Sequence, residues 1–476
     1  MGISNWTGAC CLGLHRLLGA NQTFSAGTAA YNASLASYFA QQESQLYPSC
    51  IVAPTTVADV STAVQYLTAN ATCDFAIRSG GHNVVEGAAN IADGVTIDLH
   101  GFDSIEVSDE RSTVTVGAGA TWGDVYKALD PLNLTVAGGR VGQVGVGGLT
   151  TGGGISYFSP RYGWTCDTVV DFEIVLANGS VVHANEQENP ELRVALCGGS
   201  NNFGVVTHIQ LTAIEQGQIW GGLAYYSFDT VDEQLQATAD FSNAETYDEF
   251  ASLIVSFGFS GTQGAALVNS LVYTKPEPNP PAFQPFTAIP SAINTSRLTN
   301  MSDISTEQGS FQPDGERQLW LVTTFYTSVP MLNATYRHWN ESLTAVQDVA
   351  NVGWSLSLEP LPPAIYARHS SANSMGLSET TGSLMIVLLS ASWVDEADDA
   401  RVEKAACDLI KDIEDDALEQ KAYHPFKYLN YAAQWQNPIS SYGDDSVERL
   451  WRATRSVDPD LVFQDQVPGG FKLPVR

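Results

Sequence analysis

The stretch Phe75-Ala76-Ile77-Arg78-Ser79-Gly80-Gly81-His82-Asn83 decides the reading of this sequence. Its apolar start suits a short strand, which ends in two glycines and a histidine, with Gly87 following. Glycine tolerates positive φ and exposes backbone N–H groups, so such a turn can hold an anion close to the main chain. Arg78 supplies a cation able to offset phosphate charge. His82 projects from the turn, where an imidazole can be a base, a metal ligand or an attachment point. It is one of eight histidines, and by position alone a structural role is the commoner one.

Working outward, the spacing predicts a helix over 56–68, with an acid near its start. Residues 94–99 and 113–116 read as strands, and Trp122 to Leu129 reads as a helix with Asp124 in its first turn. Between Gly138 and Gly154 lies GGRVGQVGVGGLTTGGG, in which nine of seventeen residues are glycine. Valines alternate through it, unlike a flexible linker, so its N–H groups can wrap phosphates. It is not a GxGxxG dinucleotide fingerprint, which should follow a strand directly and open a helix. Beyond about residue 216 the pattern changes to strands such as 251–259 and 319–326 and amphipathic helices such as 397–412. A proline-rich loop, 275–281, lies among them.

The 476 residues suffice for two or three domains, and a composition of 44% hydrophobic and 16% charged residues is globular. A net charge of -30 repels phosphate backbones and anionic lipid, which argues against nucleic-acid and membrane partners. No apolar run approaches the ~20 residues of a membrane span. Ten N-x-S/T sequons, at Asn5, Asn21, Asn32, Asn70, Asn133, Asn178, Asn294, Asn300, Asn333 and Asn340, exceed the roughly four expected by chance. They point to a secreted chain carrying N-linked glycans. Four of seven cysteines fall in the first 73 residues, as in an oxidising compartment. Cys10 or Cys11 is expected to pair with Cys73 and the other with Cys50. No cysteine or histidine spacing reads as a metal site. Residues 1–20 make a poor signal peptide, so the expectation is that the functional one has been removed.

RSGGHNVVEG, followed by VGVGG, GGGIS and ALCGGSNNFGVVT, resembles the FAD-linked oxidases of the vanillyl-alcohol oxidase/berberine-bridge-enzyme type. The C-terminal run Tyr428-Leu429-Asn430-Tyr431, with Ser441-Tyr442-Gly443 and Pro468-Gly469-Gly470-Phe471-Lys472-Leu473, resembles the closing element of fungal members. The resemblance implies an α+β fold. An N-terminal extension (1–44) precedes a PCMH-type FAD-binding domain (45–215), a substrate domain built on an antiparallel sheet covered by helices (216–420) and a closing segment (421–476). It implies FAD linked through His82 to the 8α-methyl group, with Arg78, Ser79, Gly80, Gly81 and Asn83 at the pyrophosphate and Gly87 in the same turn. Gly145, Gly147, Gly148, Gly153 and Gly154 would line the dinucleotide, Val205 and Val206 the adenosine side, and Asn430 the flavin ring. Val141 stands where some members carry a second, cysteinyl link, so a single link is implied. Val144 occupies a position associated with oxygen access, which favours an oxidase. Cys197 replaces an arginine usual in relatives and reads as a buried thiol.

The implied activity is oxidation of a small alcohol or secondary-metabolite intermediate by hydride transfer to flavin N5, with O2 reoxidising the flavin and releasing H2O2. Tyr431, and after it Tyr428, is the candidate base. Since an unperturbed tyrosine has a pKa of about 10, it needs a neighbouring acid or cation, and the sequence does not name one. Glu359 and His369 lie in the middle domain. Two other readings stay open: an oligosaccharide oxidase forming aldonolactones, and an FAD-containing cyclase or binding protein without net redox turnover. The expected partners are substrate, O2 and glycans, and the expected state is a monomer.

Overall fold

The computed structural model describes residues 8–311 and 314–475; the sequon at Asn5 lies outside them. The fold is α+β. Near the start, strands Cys50–Val52 and Phe75–Arg78 flank Val95–Asp98 in parallel, and Thr23–Ser25 adds an antiparallel edge. The parallel pairing requires a crossover, supplied by helix Val57–Thr68. Its start is set by a capping box between Thr56 and Asp59, which satisfies two orphan N–H groups. An antiparallel five-stranded sheet follows, in the order Ile105–Val107, Thr113–Gly117, Val205–Thr212, Val169–Val175, Val181–Asn185. Helix Trp122–Leu129 has the predicted bounds, with Thr121 accepting from the Asp124 N–H.

The second half of the chain builds one nine-stranded sheet. Its central order is Gly264–Tyr273, Ala251–Ser260, Gly353–Leu361, Leu384–Trp393, Arg317–Tyr326, all antiparallel neighbours. The two-residue strand Tyr423–His424 joins its edge. Alternation of side chains sends Val255, Phe257, Leu356, Leu358 and Leu389 to one face. There they pack with helices Val231–Phe241, Val329–Val346 and Asp399–Glu419. The last helix starts two residues later and runs seven further than the predicted 397–412, carried on by buried Ile413 and Ala417.

The closing segment rejoins the first half of the chain. Phe426, Leu429, Phe463 and Phe471 share its hydrophobic core, and the Phe75 N–H donates to the Gln466 carbonyl. The first 44 residues are more integrated than an extension. Helix Ala9–Leu18 is stapled by Cys10–Cys73 and Cys11–Cys50, which selects one of the two pairings left open above. Cys166 and Cys197 are free and buried, and the Cys197 thiol donates to the Cys166 carbonyl. The glycine-rich segment is not loop throughout, since Val146–Thr151 forms a short helix.

Candidate active site

The two glycine motifs meet backbone to backbone. A Cβ on Gly80 would lie 2.5 Å from Gly145 Cα, and one on Gly145 would lie 2.6 Å from Gly80 N. Glycine is required at both positions by close approach rather than by φ. Ser79 locks the contact by donating to the Ala118 carbonyl. Gly81 does need its left-handed conformation, at φ 69°. The turn delivers His82 to the wall of a cavity of about 1010 Å³, where its ring stacks on Phe39 at 4.0 Å between centroids and 15° between planes.

That cavity gathers most of the residues singled out from the sequence. Ser79, Gly80, Gly81, His82 and Asn83 line one side, and Val141, Val144, Gly145, Gly147 and Gly148 line another. Val206 lines it while its neighbour Val205 is fully buried, as strand alternation requires. Gly87, Gly153 and Gly154 stand behind the wall. The Gly87 N–H donates to buried Glu43, and the Gly154 N–H donates to the Tyr428 hydroxyl.

Arg78 requires a correction. Its side chain is fully buried and points away from the cavity, donating to the Ser34 and Ser37 carbonyls beside Asp98. It stacks over Tyr38 at 3.8 Å. The guanidinium is consumed in fastening the N-terminal segment, so it does not offset phosphate charge. His369 also stands outside the cavity, against Gly163.

At the far end of the cradle the closing segment brings in Tyr428, Asn430 and Tyr431. Asn430 lies over the Gly152 backbone, where a Cβ would come within 2.0 Å of its side-chain oxygen, and donates to the Leu149 carbonyl. The Tyr428 hydroxyl accepts from Gly154 N–H and Asn430, and its ring stacks on Trp164. Its partners are those of a packing residue.

Tyr431 is placed differently. Arg140 donates to its hydroxyl at 2.6 Å and to Glu359 at 2.7 Å, and Tyr431 donates to Glu359 at 3.1 Å. Arg140 and Glu359 are 8% and 5% exposed, so each needs the other to remain charged. Burial opposes the Arg140 charge, but Glu359 and Tyr431 outweigh it and hold the guanidinium above its ordinary range. Burial pushes Tyr431 well above the usual phenol value; Arg140 pulls it down, while Glu359 and Tyr428 push further up. The phenol is therefore neutral, with a cation and a carboxylate at hydrogen-bond distance. This supplies the acid and the cation that the sequence left unnamed. Arg140 had one signal in sequence, as the only charged residue in the seventeen-residue glycine segment. Phe39 and Glu43 had none.

Residues 48–185 match the FAD binding domain family. A protein named FAD-dependent monooxygenase CTB5, from Cercospora beticola, is 35% identical over 484 residues, covering 98% of this chain and 92% of that protein. This chain belongs to the same family of FAD-dependent oxidoreductases, with the fold of the vanillyl-alcohol oxidase/berberine-bridge-enzyme type. Another relative, named oligopeptidase PhomG', from Diaporthe leptostromiformis, is 39% identical over 466 residues; the match spans 96% of this chain but 37% of that protein. The 6-hydroxy-D-nicotine oxidase of Arthrobacter nicotinovorans shares the fold at a TM-score of 0.80 and 19% identity, covering 95% of this chain and 97% of that one.

This FAD-dependent oxidoreductase has a cavity that fits its cofactor. Gly145, Gly147 and Gly148 line it without side chains, which lets a ligand approach the main chain, and Gly148 faces open space. Val206, Asn201 and Gly470 line it as well. Ser79, Gly80, Gly81, Asn83 and the 145–148 backbone would hold FAD, with Asn430 at the ring end. Among the described residues no cysteine lines the cavity.

Proposed function

We propose that this protein is an oxidase that removes hydrogen from a hydroxylated small organic substrate and passes the electrons to O2, with FAD held by one covalent bond through His82. The observation that carries the reading is the Arg140–Glu359–Tyr431 cluster beside the cradle. When bound, FAD supplies the two-electron acceptor that the side chains lack. Tyr431 moves the proton. A substrate hydroxyl beside it gives its proton to the Tyr431 oxygen as the phenolic proton passes to Glu359. Tyr431 is neutral before and after, which suits a phenol whose ionisation burial opposes. Arg140 balances the carboxylate and supports negative charge developing on the phenol oxygen.

Val141 supports the single link, since it offers no nucleophile where a second bond would form. Acid-precipitated protein should stay yellow, with the FAD mass on the His82 peptide. FAD in the supernatant would remove the covalent claim. A peroxide-release screen tests the oxidase claim, with one H2O2 expected per substrate. The name of the Cercospora beticola relative motivates a second reading, insertion of an oxygen atom. Product formed under 18O2 distinguishes the two, because only insertion labels it. We further propose that the chain is secreted and N-glycosylated, supported by the two disulfides and by exposure of all nine sequon asparagines among the described residues. Unchanged mass after peptide-N-glycosidase treatment of protein from its own host would refute glycosylation.

A further inference from the structure

The cavity face of the large sheet is unlike its core face. Three adjacent strands present Ser256 and Gly258, Ser355 and Ser357, and Ser390 and Ser392 to the cavity. The register sets them in rows across the strands. Ser256, Ser357 and Leu388 form one row; Gly258, Ser355 and Ser390 a second; Ser260, Gly353 and Ser392 a third, so Leu388 is the one large side chain among them. Strands lie about 4.8 Å apart and successive same-face residues about 6.7 Å, so the rows pave a floor about 10 by 13 Å. Apart from Ala391, the intervening residues on the same strands, Phe257, Leu356 and Leu389 among them, are large and apolar, so small side chains are not a general property of this sheet.

The floor is bare. A Cβ on Gly258 would meet only Ala266 O at 3.8 Å and Ser355 Oγ at 4.0 Å. Trp320, paired with Ser390 on the next strand, forms one edge, and its ring meets Tyr431 at 6.0 Å. The next residue on the same face after Ser357 is Glu359, so the floor runs directly to the proton-moving cluster. None of its side chains is charged. Its serines and glycines offer no carboxylate or amide pair to grip a vicinal diol, while hydroxyls are available to isolated oxygen atoms; the amide of Gln318, paired with Ser392, stands at its edge beside Trp320. Ser256 and Ser357 bond one another at 2.8 Å.

We infer that the substrate is an uncharged, flat, multi-ring compound with hydroxyl or carbonyl groups at its rim, laid along this serine–glycine floor with one hydroxyl at Tyr431. The inference rests on the oxidase reading for its reaction but on the floor alone for its recognition. Flatness follows from the pleated surface, ring number from its extent, and neutrality from the missing counter-charge and the chain's net charge of -30.

Calorimetric titration of the holoenzyme tests it with four probes: 1,8-dihydroxyanthraquinone, anthraquinone-2-sulfonate, 4-hydroxybenzyl alcohol and cellobiose. The neutral three-ring probe should bind at least tenfold tighter than each of the others. Gly258→Leu, which fills open space, should weaken it at least tenfold, and Ser390→Ala about threefold. Equal affinity for one and three rings, tighter binding of cellobiose or the sulfonate, or three-ring binding unaffected by Gly258→Leu would each overturn the inference. The oxidase reading fails separately, if light-reduced flavin admitted to air yields no peroxide; the binding order is measured regardless.

Discussion

Tyr431 joins two groups that sequence leaves far apart, one in the glycine segment and one on a strand of the nine-stranded sheet. Its hydroxyl accepts from Arg140 and donates to Glu359, so a change at any of the three alters the other two. Tyr431→Phe removes the proton carrier and leaves the ion pair in place. We expect kcat on the substrate found by peroxide screening to fall about 10²–10⁴-fold, with flavin content unchanged. Arg140→Met should behave differently, because it strands a buried carboxylate. That costs about 3–5 kcal/mol, and a lowered thermal midpoint should accompany the lost activity. Glu359 and Arg140 were both visible in the sequence as residues. Their partnership was not, since nothing local in a chain records which strand faces which turn.

At the scale of elements, the contact between the 79–83 turn and the 144–148 segment holds the cradle together. Gly80→Ala puts a Cβ against Gly145 backbone, which cannot rotate away as a side chain could. Reduced FAD incorporation is expected, read from the ratio of flavin to protein absorbance in purified material. The loop after the turn hangs on Glu43, which accepts from Gly87 and Ala89 N–H groups. Burial outweighs those bonds and pushes its carboxyl up to about 8. A carboxyl whose folded value lies above its unfolded value stabilises the fold at low pH, and that contribution is lost as pH rises through about 8. The thermal midpoint should therefore fall as pH rises from about 4.5 to about 8 and level off above, and Glu43→Gln should flatten that slope. An equal slope in both proteins would exclude Glu43 as its source. Helix and strand positions around the cradle were legible because capping residues and alternation are local signals. The short helix inside the glycine segment was not, since its residues carry low helix propensity and it forms against the closing segment.

The whole molecule is two cores joined by a returning chain. The first half and residues from Phe426 onward form one core, and the nine-stranded sheet with its helices forms the other. The N-terminal helix depends on its two disulfides, which close loops of 63 and 39 residues. Each is worth about 4 kcal/mol on chain entropy. Replacing Cys10 and Cys73 together by alanine should lower the thermal midpoint and expose residues 9–18 to protease, as mass spectrometry of the fragments would report. An unchanged midpoint would mean that Cys11–Cys50 and packing with Val57–Thr68 hold this helix without the Cys10–Cys73 bond.

The sequence by itself determined the family, the glycine turns, the histidine they present and the tyrosines of the closing run, because these are short motifs whose chemistry is carried by neighbouring residues. Only the tertiary structure decided that Arg78 faces the N-terminal segment, that Arg140 and Glu359 flank Tyr431, and that serines on three strands form one floor. Each of these rests on which side of a turn or strand meets another element, and that is set by packing between distant parts of the chain.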